Sequence, residues 1–151
     1  MTRQQAIREF LGQRTLAIAG ASRNGKKFGN AVLVSLKAKG YRMLPVHPSA
    51  DVLEGVACSR SLRELPEVPG GLVVAVPPAE TEKLVAEAHE AGITRIWMQS
   101  GAESPRAIAL CEQYGITLIH GECILMFAEP AELFHRVHRF IYKLTGKYPG
   151  T

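Results

Sequence analysis

Five short apolar runs recur along the chain, and three of them lead into an amphipathic stretch that stops at a glycine. The first run is Leu16-Ala-Ile-Ala-Gly20, followed by a stretch from Phe28 to Lys39. Val32, Leu33 and Leu36 there share one helical face, and Gly40 stands where a left-handed cap ends a helix. The second run is Tyr41-Arg-Met-Leu-Pro-Val46. The third, Gly71 to Val76, precedes a helix near Thr81–Ala91 with Leu84, Val85 and Ala88 inward and Gly92 as its cap. The fourth, Thr94 to Met98, precedes Ser104-Pro105, an N-cap and first-turn proline. That helix ends at Gly115, and the fifth run is Ile116 to Ile119.

Nearly continuous apolar runs separated by helices mark a parallel sheet covered on both faces. Right-handed crossovers make it doubly wound. The pattern therefore predicts an α/β, Rossmann-like, mainly parallel five-stranded sheet with helices on both faces. Two flanking helices are expected, near 2–11 and 130–145. The first opens on a capping box from Thr2 to Gln5, with Ile7, Phe10 and Leu11 as its apolar stripe. The second starts at Pro130 and gathers Leu133, Phe134, Val137, Phe140, Ile141 and Leu144 on one face. No linker or low-complexity stretch interrupts the pattern, so residues 1–151 read as one domain.

Composition narrows the function classes. The chain has 151 residues, 46% of them hydrophobic, which is enough for a packed core. No apolar run is long enough to span a bilayer, and no signal-peptide core follows the N-terminus, so a cytoplasmic protein is expected. The net charge of +4 suits an anionic ligand. The basic residues are dispersed, which gives no nucleic-acid signature. Cys58, Cys111 and Cys123 are widely spaced and odd in number, so neither a disulfide framework nor a structural zinc site is expected.

In a doubly wound sheet, ligands bind outside the carboxyl ends of the strands at the point where strand order reverses. The first run leaves through Gly20-Ala-Ser-Arg-Asn-Gly-Lys-Lys-Phe-Gly29. Here unpaired backbone N–H groups and the helix dipole favour an anion. Gly20 would let the chain turn close to a phosphate, Ser22 would donate a hydroxyl, Lys26 or Lys27 would neutralise charge, and Gly29 would allow close helix–sheet packing. The segment is neither G-x-G-x-x-G nor a Walker A loop. After the second run comes Pro45-Val-His-Pro48, with no carboxylate until Asp51 and with Lys39 and Arg42 just before it. A dinucleotide site for NAD places an acidic residue there. Its absence disfavours NAD, and the basic neighbours suit a phosphate on the adenosine ribose. NADP carries one at the 2′ position and coenzyme A at the 3′ position, and the residues alone do not separate the two.

Gly20-Ala-Ser22, Gly29, Gly40-Tyr41, Pro45-Val-His-Pro48, Val76-Pro77-Pro78-Ala-Glu80 and Trp97-Met-Gln-Ser-Gly101 occur in one order. Together they resemble the small stand-alone CoA-binding domain family, which is similar to the CoA-binding domain of the succinyl-CoA synthetase alpha subunit. The resemblance runs from about Leu11 to about Cys123. It implies a protein that binds coenzyme A or an acyl-CoA without catalysis. Gly20, Ala21 and Ser22 would cradle the pyrophosphate with Lys27 nearby and Asn30 on the following helix. Arg42, His47 and Pro48 would lie toward the adenosine, and Val76, Pro77 and Pro78 along the adenine or pantetheine path. Gln99, Ser100, Gly101 and Cys123 would sit at the mouth of the later strands. The family commonly has Asn-Pro where His47-Pro48 stands, and Asp-Arg-Cys where Gly121-Glu-Cys123 stands.

Two other readings stay open: an NADP-dependent oxidoreductase, and the CoA-binding subunit of an acyl-CoA ligase. A protein partner or a homo-oligomer also stays open. Among the histidines, only His47 and His120 fall at strand ends. Cys123 reads as a small buried residue. With no nucleophile, base and orienting group in one set, no catalytic residue and no metal ligand is assigned.

Overall fold

Apolar runs of four to six residues are too short for buried helices, and the computed structural model, which describes residues 1–128, folds them into one parallel sheet. Helix α1 (Arg3–Leu11) leads into β1 (Thr15–Ala19), α2 (Phe28–Ala38) and β2 (Arg42–Val46). A hairpin of β3 (Val52–Leu53) and β4 (Val56–Ala57) and a 3-10 turn at Leu62–Glu64 come next. The chain continues through β5 (Gly71–Val74), α3 (Pro78–Glu90), β6 (Arg95–Met98), α4 (Pro105–Tyr114) and β7 (Thr117–His120) to a 3-10 turn at Ile124–Met126. The helix expected near 130–145 lies outside the described residues.

The sheet order is β2-β1-β5-β6-β7, and each pairing is parallel. This is the Rossmann-like α/β fold that the sequence pattern predicts. Period-two alternation sorts the strands between two cores. Leu16, Ile18, Val73, Trp97 and Ile119 pack with Ile7 and Phe10 of α1 and with Val32, Leu33 and Leu36 of α2. Ala17, Ala19, Leu72, Val74, Ile96 and Met98 face Val85 and Ala88 of α3 and Ala107 and Cys111 of α4. Each large apolar side chain so buried contributes about 1.5–3 kcal/mol. Pro45, within β2, has no N–H to give a ladder and is tolerated because β2 is an edge strand.

The local signals act as their chemistry demands. Thr2 and Gln5 form the capping box of α1, and Ser104 Oγ accepts from Ala107 N at α4. After α2, α3 and α4 a glycine turns left-handed, and the next residue, Tyr41, Ile93 or Ile116, donates its N–H back to Leu36, Ala88 or Cys111. Among the described residues, no helix is long and apolar enough to cross a membrane.

Candidate functional site

The strand order reverses between β1 and β5, since β1 leads outward to β2 while β5 leads to β6 and β7. Outside the carboxyl ends of β2, β1 and β5 lies an open cavity of about 420 Å³, within the range of small-ligand sites. Its apolar wall includes Val46, Val76, Pro77 and Leu84, and Gly20, Lys27, His47 and Pro48 stand around it. Seven of the residues named from the sequence thus lie close together at one end of the sheet: these four with Val76 and Pro77, and Ala21 adjoining Gly20.

Two glycines shape the loop after β1. Gly20 has φ +128°, and a side chain on it would strike the backbone of Ala75. A Cβ on Gly29 would strike the Gly20 carbonyl and approach Ala21 N to 2.8 Å. The first turn of α2 therefore lies directly against the loop that leaves β1, so Gly29 serves helix–loop contact where helix–sheet packing was expected.

Asn30, 3% exposed, ties the loop from below. Its Oδ1 accepts from Ser22 N at 2.9 Å, and its Nδ2 donates to Ser22 O at 2.9 Å and to Glu54 Oε1 at 3.2 Å. Glu54, at the tip of the β3–β4 hairpin, has φ +50°, a conformation non-glycine residues rarely adopt. The Ser22 hydroxyl is directed within the loop, donating to Asn24 Oδ1 at 2.7 Å. Expected as a ligand donor, it is already used to close the turn.

His47 carries out a local task as well. The backbone N–H groups of Ser49 and Ala50 both donate to its Nδ1 at 3.0 Å. Nδ1 thus serves as the acceptor that closes this turn. An asparagine carboxamide oxygen accepts in the same way in an Asx turn, so histidine preserves the turn while changing what borders the cavity.

The electrostatics distinguish this end of the sheet. The starts of α2 (Lys27) and α3 (Pro77) border the cavity, and neither has a side-chain cap. Away from the cavity, α1 and α4 are both capped by hydroxyls. Uncapped first turns leave the positive end of the dipole facing an anion, and α2 adds backbone N–H groups at positions where α3, which opens on Pro77 and Pro78, has none. Lys27, Arg60 and Lys83 add cationic side chains to the lining, and Glu80 and Glu87 add carboxylates.

Not every residue named from the sequence gathers here. Arg42 begins β2 opposite Thr15, whereas Val46 ends it opposite Ala19. Four residue steps of about 3.3 Å put Arg42 roughly 13 Å from the cavity end of the strand. It lies 3.6 Å from Glu67. Pro78 is the first residue of α3 and is exposed beside Pro77.

Gln99, Ser100, Gly101 and Cys123 lie farther along the carboxyl edge, past β6 and β7. Gln99 is 3% exposed; its Oε1 accepts from Ile124 N at 2.9 Å and its Nε2 contacts Cys123 Sγ at 3.5 Å. Trp97 Nε1 donates to Glu122 O at 2.9 Å, and Arg3 pairs with the Glu122 carboxylate at 2.7 Å. Burial pushes the Cys123 thiol up, with the Gln99 contact offsetting part of the rise. Gly101 N donates to the Glu103 carboxylate at 3.2 Å, and Ser100 is exposed. Among the described residues, no cluster of three or more His, Cys, Asp or Glu side chains is placed to hold a metal ion.

Arg60, Ser61, Lys83 and Glu87 line the cavity without having been named from the sequence. Lys83 adjoins the inward Leu84 on α3, which was a usable signal. Arg60 had none, because it reaches the cavity only after the hairpin returns the chain and Ser59 bridges to Val46.

This fold, with an open cavity at its switch point, defines a Rossmann-like α/β domain. The chain belongs to the CoA binding domain family, whose model matches residues 14–129. It is 27% identical over 126 residues to the alpha subunit of acetate–CoA ligase [ADP-forming] II of Pyrococcus furiosus, an overlap of 76% of this chain and 28% of that protein. It thus spans little more than a quarter of that relative. Uncharacterized protein YneT of Bacillus subtilis is 28% identical over 120 residues, 78% of this chain and 88% of that one. Among solved structures, a conserved hypothetical protein from Pyrococcus furiosus is 42% identical with a TM-score of 0.70, covering 74% of this chain and 96% of that one. The chain is therefore similar both to one part of a ligase subunit and to small proteins of its own size class.

Proposed function

We propose that the chain binds coenzyme A or an acyl-CoA and holds it without transforming it. The observation that carries this reading is the cavity at the switch point, where two helices start uncapped beside three cationic side chains. The pyrophosphate would lie against Gly20, Ala21 and Ser22 and the start of α2, with Lys27 supplying charge. The adenosine would lie between the His47-Pro48 turn and the apolar wall of Val76, Pro77 and Leu84. Family membership supports the choice of coenzyme. The partly buried Cys123 thiol, which desolvation pushes up, supports a holding role over a nucleophilic one.

Coenzyme A should raise the unfolding midpoint of the purified protein and the effect should saturate, with about 2.7 kcal/mol of added stability at a hundredfold excess over Kd. Mass spectrometry of small molecules released from the protein should find coenzyme A or an acyl-CoA. No shift at millimolar coenzyme A would overturn the reading. Tighter binding of NADPH, displacing coenzyme A, would move the assignment to a nicotinamide enzyme. The likeness to a ligase alpha subunit favours a second reading, in which this chain presents coenzyme A to a partner that carries the ligase chemistry. Co-purification with an ATP-binding subunit would favour it.

A further inference from the structure

The sequence places Arg42 and Lys39 beside the second strand, but strand direction puts Arg42 at the end away from the cavity. Another guanidinium occupies the position that Arg42 does not reach. Arg60 lines the cavity wall together with His47, Pro48 and Ser61. Its Nη1 donates to Pro48 O at 3.3 Å, and its Nη2 lies 2.5 Å from Asp51 Oδ1. Both contacts fall on the turn that leaves β2. In a doubly wound sheet that turn lies beside the adenosine ribose, and an arginine near it accommodates a phosphate carried on that ribose.

We propose that Arg60 is the residue that reads a phosphate on the adenosine ribose, and so discriminates ligands that carry one from those that do not. The inference rests on the nucleotide reading of the cavity and adds a residue to it. Three features support it. Lys27 stands at the start of α2 and Arg60 at the β2 turn, so positive charge occurs at two places around the cavity, as a ligand with a pyrophosphate and a separate phosphate requires. Lys83 has Glu80 and Glu87 at helical spacing on its own helix, whereas the carboxylate that Arg60 holds, Asp51, is 86% exposed. An ion pair so exposed contributes little, and a phosphate dianion that accepts two parallel N–H bonds from a guanidinium is the stronger partner.

The test measures Kd by calorimetry for coenzyme A, dephospho-coenzyme A, NADP and NAD, on the wild type and on Arg60→Gln, Arg60→Lys and Arg42→Gln. The wild type should prefer coenzyme A to dephospho-coenzyme A by tenfold or more. Arg60→Gln should lose that preference by weakening coenzyme A alone, Arg60→Lys should keep part of it, and Arg42→Gln should keep all of it. Because Arg60 is exposed, its variants should unfold within a few degrees of the wild type, which separates recognition from folding. Coenzyme A that binds with no preference over its dephospho form overturns the role of Arg60 and leaves the coenzyme reading intact. Preference for NADP over NAD, lost in Arg60→Gln, with no binding of coenzyme A, overturns the coenzyme reading and keeps the ribose-phosphate role. A preference that survives in Arg60→Gln, or that disappears in Arg42→Gln, overturns the proposal.

Discussion

The carboxyl edge of the sheet has two ends that look alike in topology and differ in what their polar groups do. At β1, β2 and β5 the strands open into a cavity bordered by uncapped helix starts and cationic side chains. At β6 and β7 the strand-end groups are consumed inside the protein. Gln99 bonds Ile124 and touches Cys123, Trp97 bonds Glu122, and Arg3 pairs with Glu122. Position at a strand's carboxyl end is therefore not enough to make a residue a ligand contact. A polar group that is already paired offers a ligand little without breaking its own bond, which holds for Gln99 and, at the cavity end, for the Ser22 hydroxyl and His47 Nδ1. What sets the cavity end apart is its uncapped helix starts and cationic lining.

The largest test of this contrast is Gly29→Ala. At a helix position, propensity alone favours alanine over glycine by roughly 0.5–1 kcal/mol. Here the added Cβ would press on Gly20 and Ala21, so a loss of about 1–3 kcal/mol is expected instead. Coenzyme A affinity should fall at least tenfold with it. Urea unfolding and calorimetry read the two effects, and a stabilised variant with normal affinity would show that the loop does not need α2 so close.

Asn30→Ala should cost about 1–3 kcal/mol, because it leaves Ser22 N and O without their partners. It should also weaken coenzyme A several-fold by loosening the loop. Gln99→Leu removes the acceptor of the buried Ile124 N–H, with an expected cost of about 1–2 kcal/mol. Its coenzyme A affinity should stay within twofold of wild type. A Gln99 variant that keeps its stability and loses coenzyme A would abolish the contrast between the two ends.

The smallest effect concerns pH. Burial holds the Glu122 carboxyl above its ordinary range, with Arg3 pulling it partly back. The folded state therefore binds this proton more tightly than the unfolded chain. The stability so gained is complete below the ordinary carboxylate range and is lost as pH rises through the raised value. Glu122→Gln, permanently neutral, should gain on wild type as pH rises across that window. Thermal unfolding between pH 3 and 7 measures it, and a gain for wild type instead would make the Arg3 pair the dominant influence.

The fold was largely legible in the sequence because its signals are local. Apolar runs, a capping box at Thr2, a serine–proline start at Ser104 and glycine stops each act within a few residues. The β3–β4 hairpin was not legible, since two-residue strands are too short for alternation to register and its turn is built on Glu54 and Gly55 rather than Asn-Gly. The Gly20–Ser22 loop, the His47-Pro48 turn and Val76-Pro77 were legible as neighbours at one end of the sheet because glycine, proline and strand-end position mark them. That Arg42 stands away from the cavity was legible too, since it opens the second run while ligands gather at the carboxyl ends of strands. The internal partners of Gln99 and Cys123 were not legible, because a sequence does not show whether a polar group already has a partner. Arg60 was invisible because its place depends on a return of the chain that only the hairpin creates.

The bonds joining Asn30, Ser22 and Glu54 have a consequence for rates. The loop is hydrogen-bonded into shape by its own residues, so little of it has to be ordered when an anion arrives. Association should then be governed by diffusion and charge, and should slow as salt is added. Ligands of different affinity should differ mainly in how long they stay. Stopped-flow traces should show coenzyme A arriving somewhat faster than its less charged dephospho form, with the two differing more in departure than in arrival.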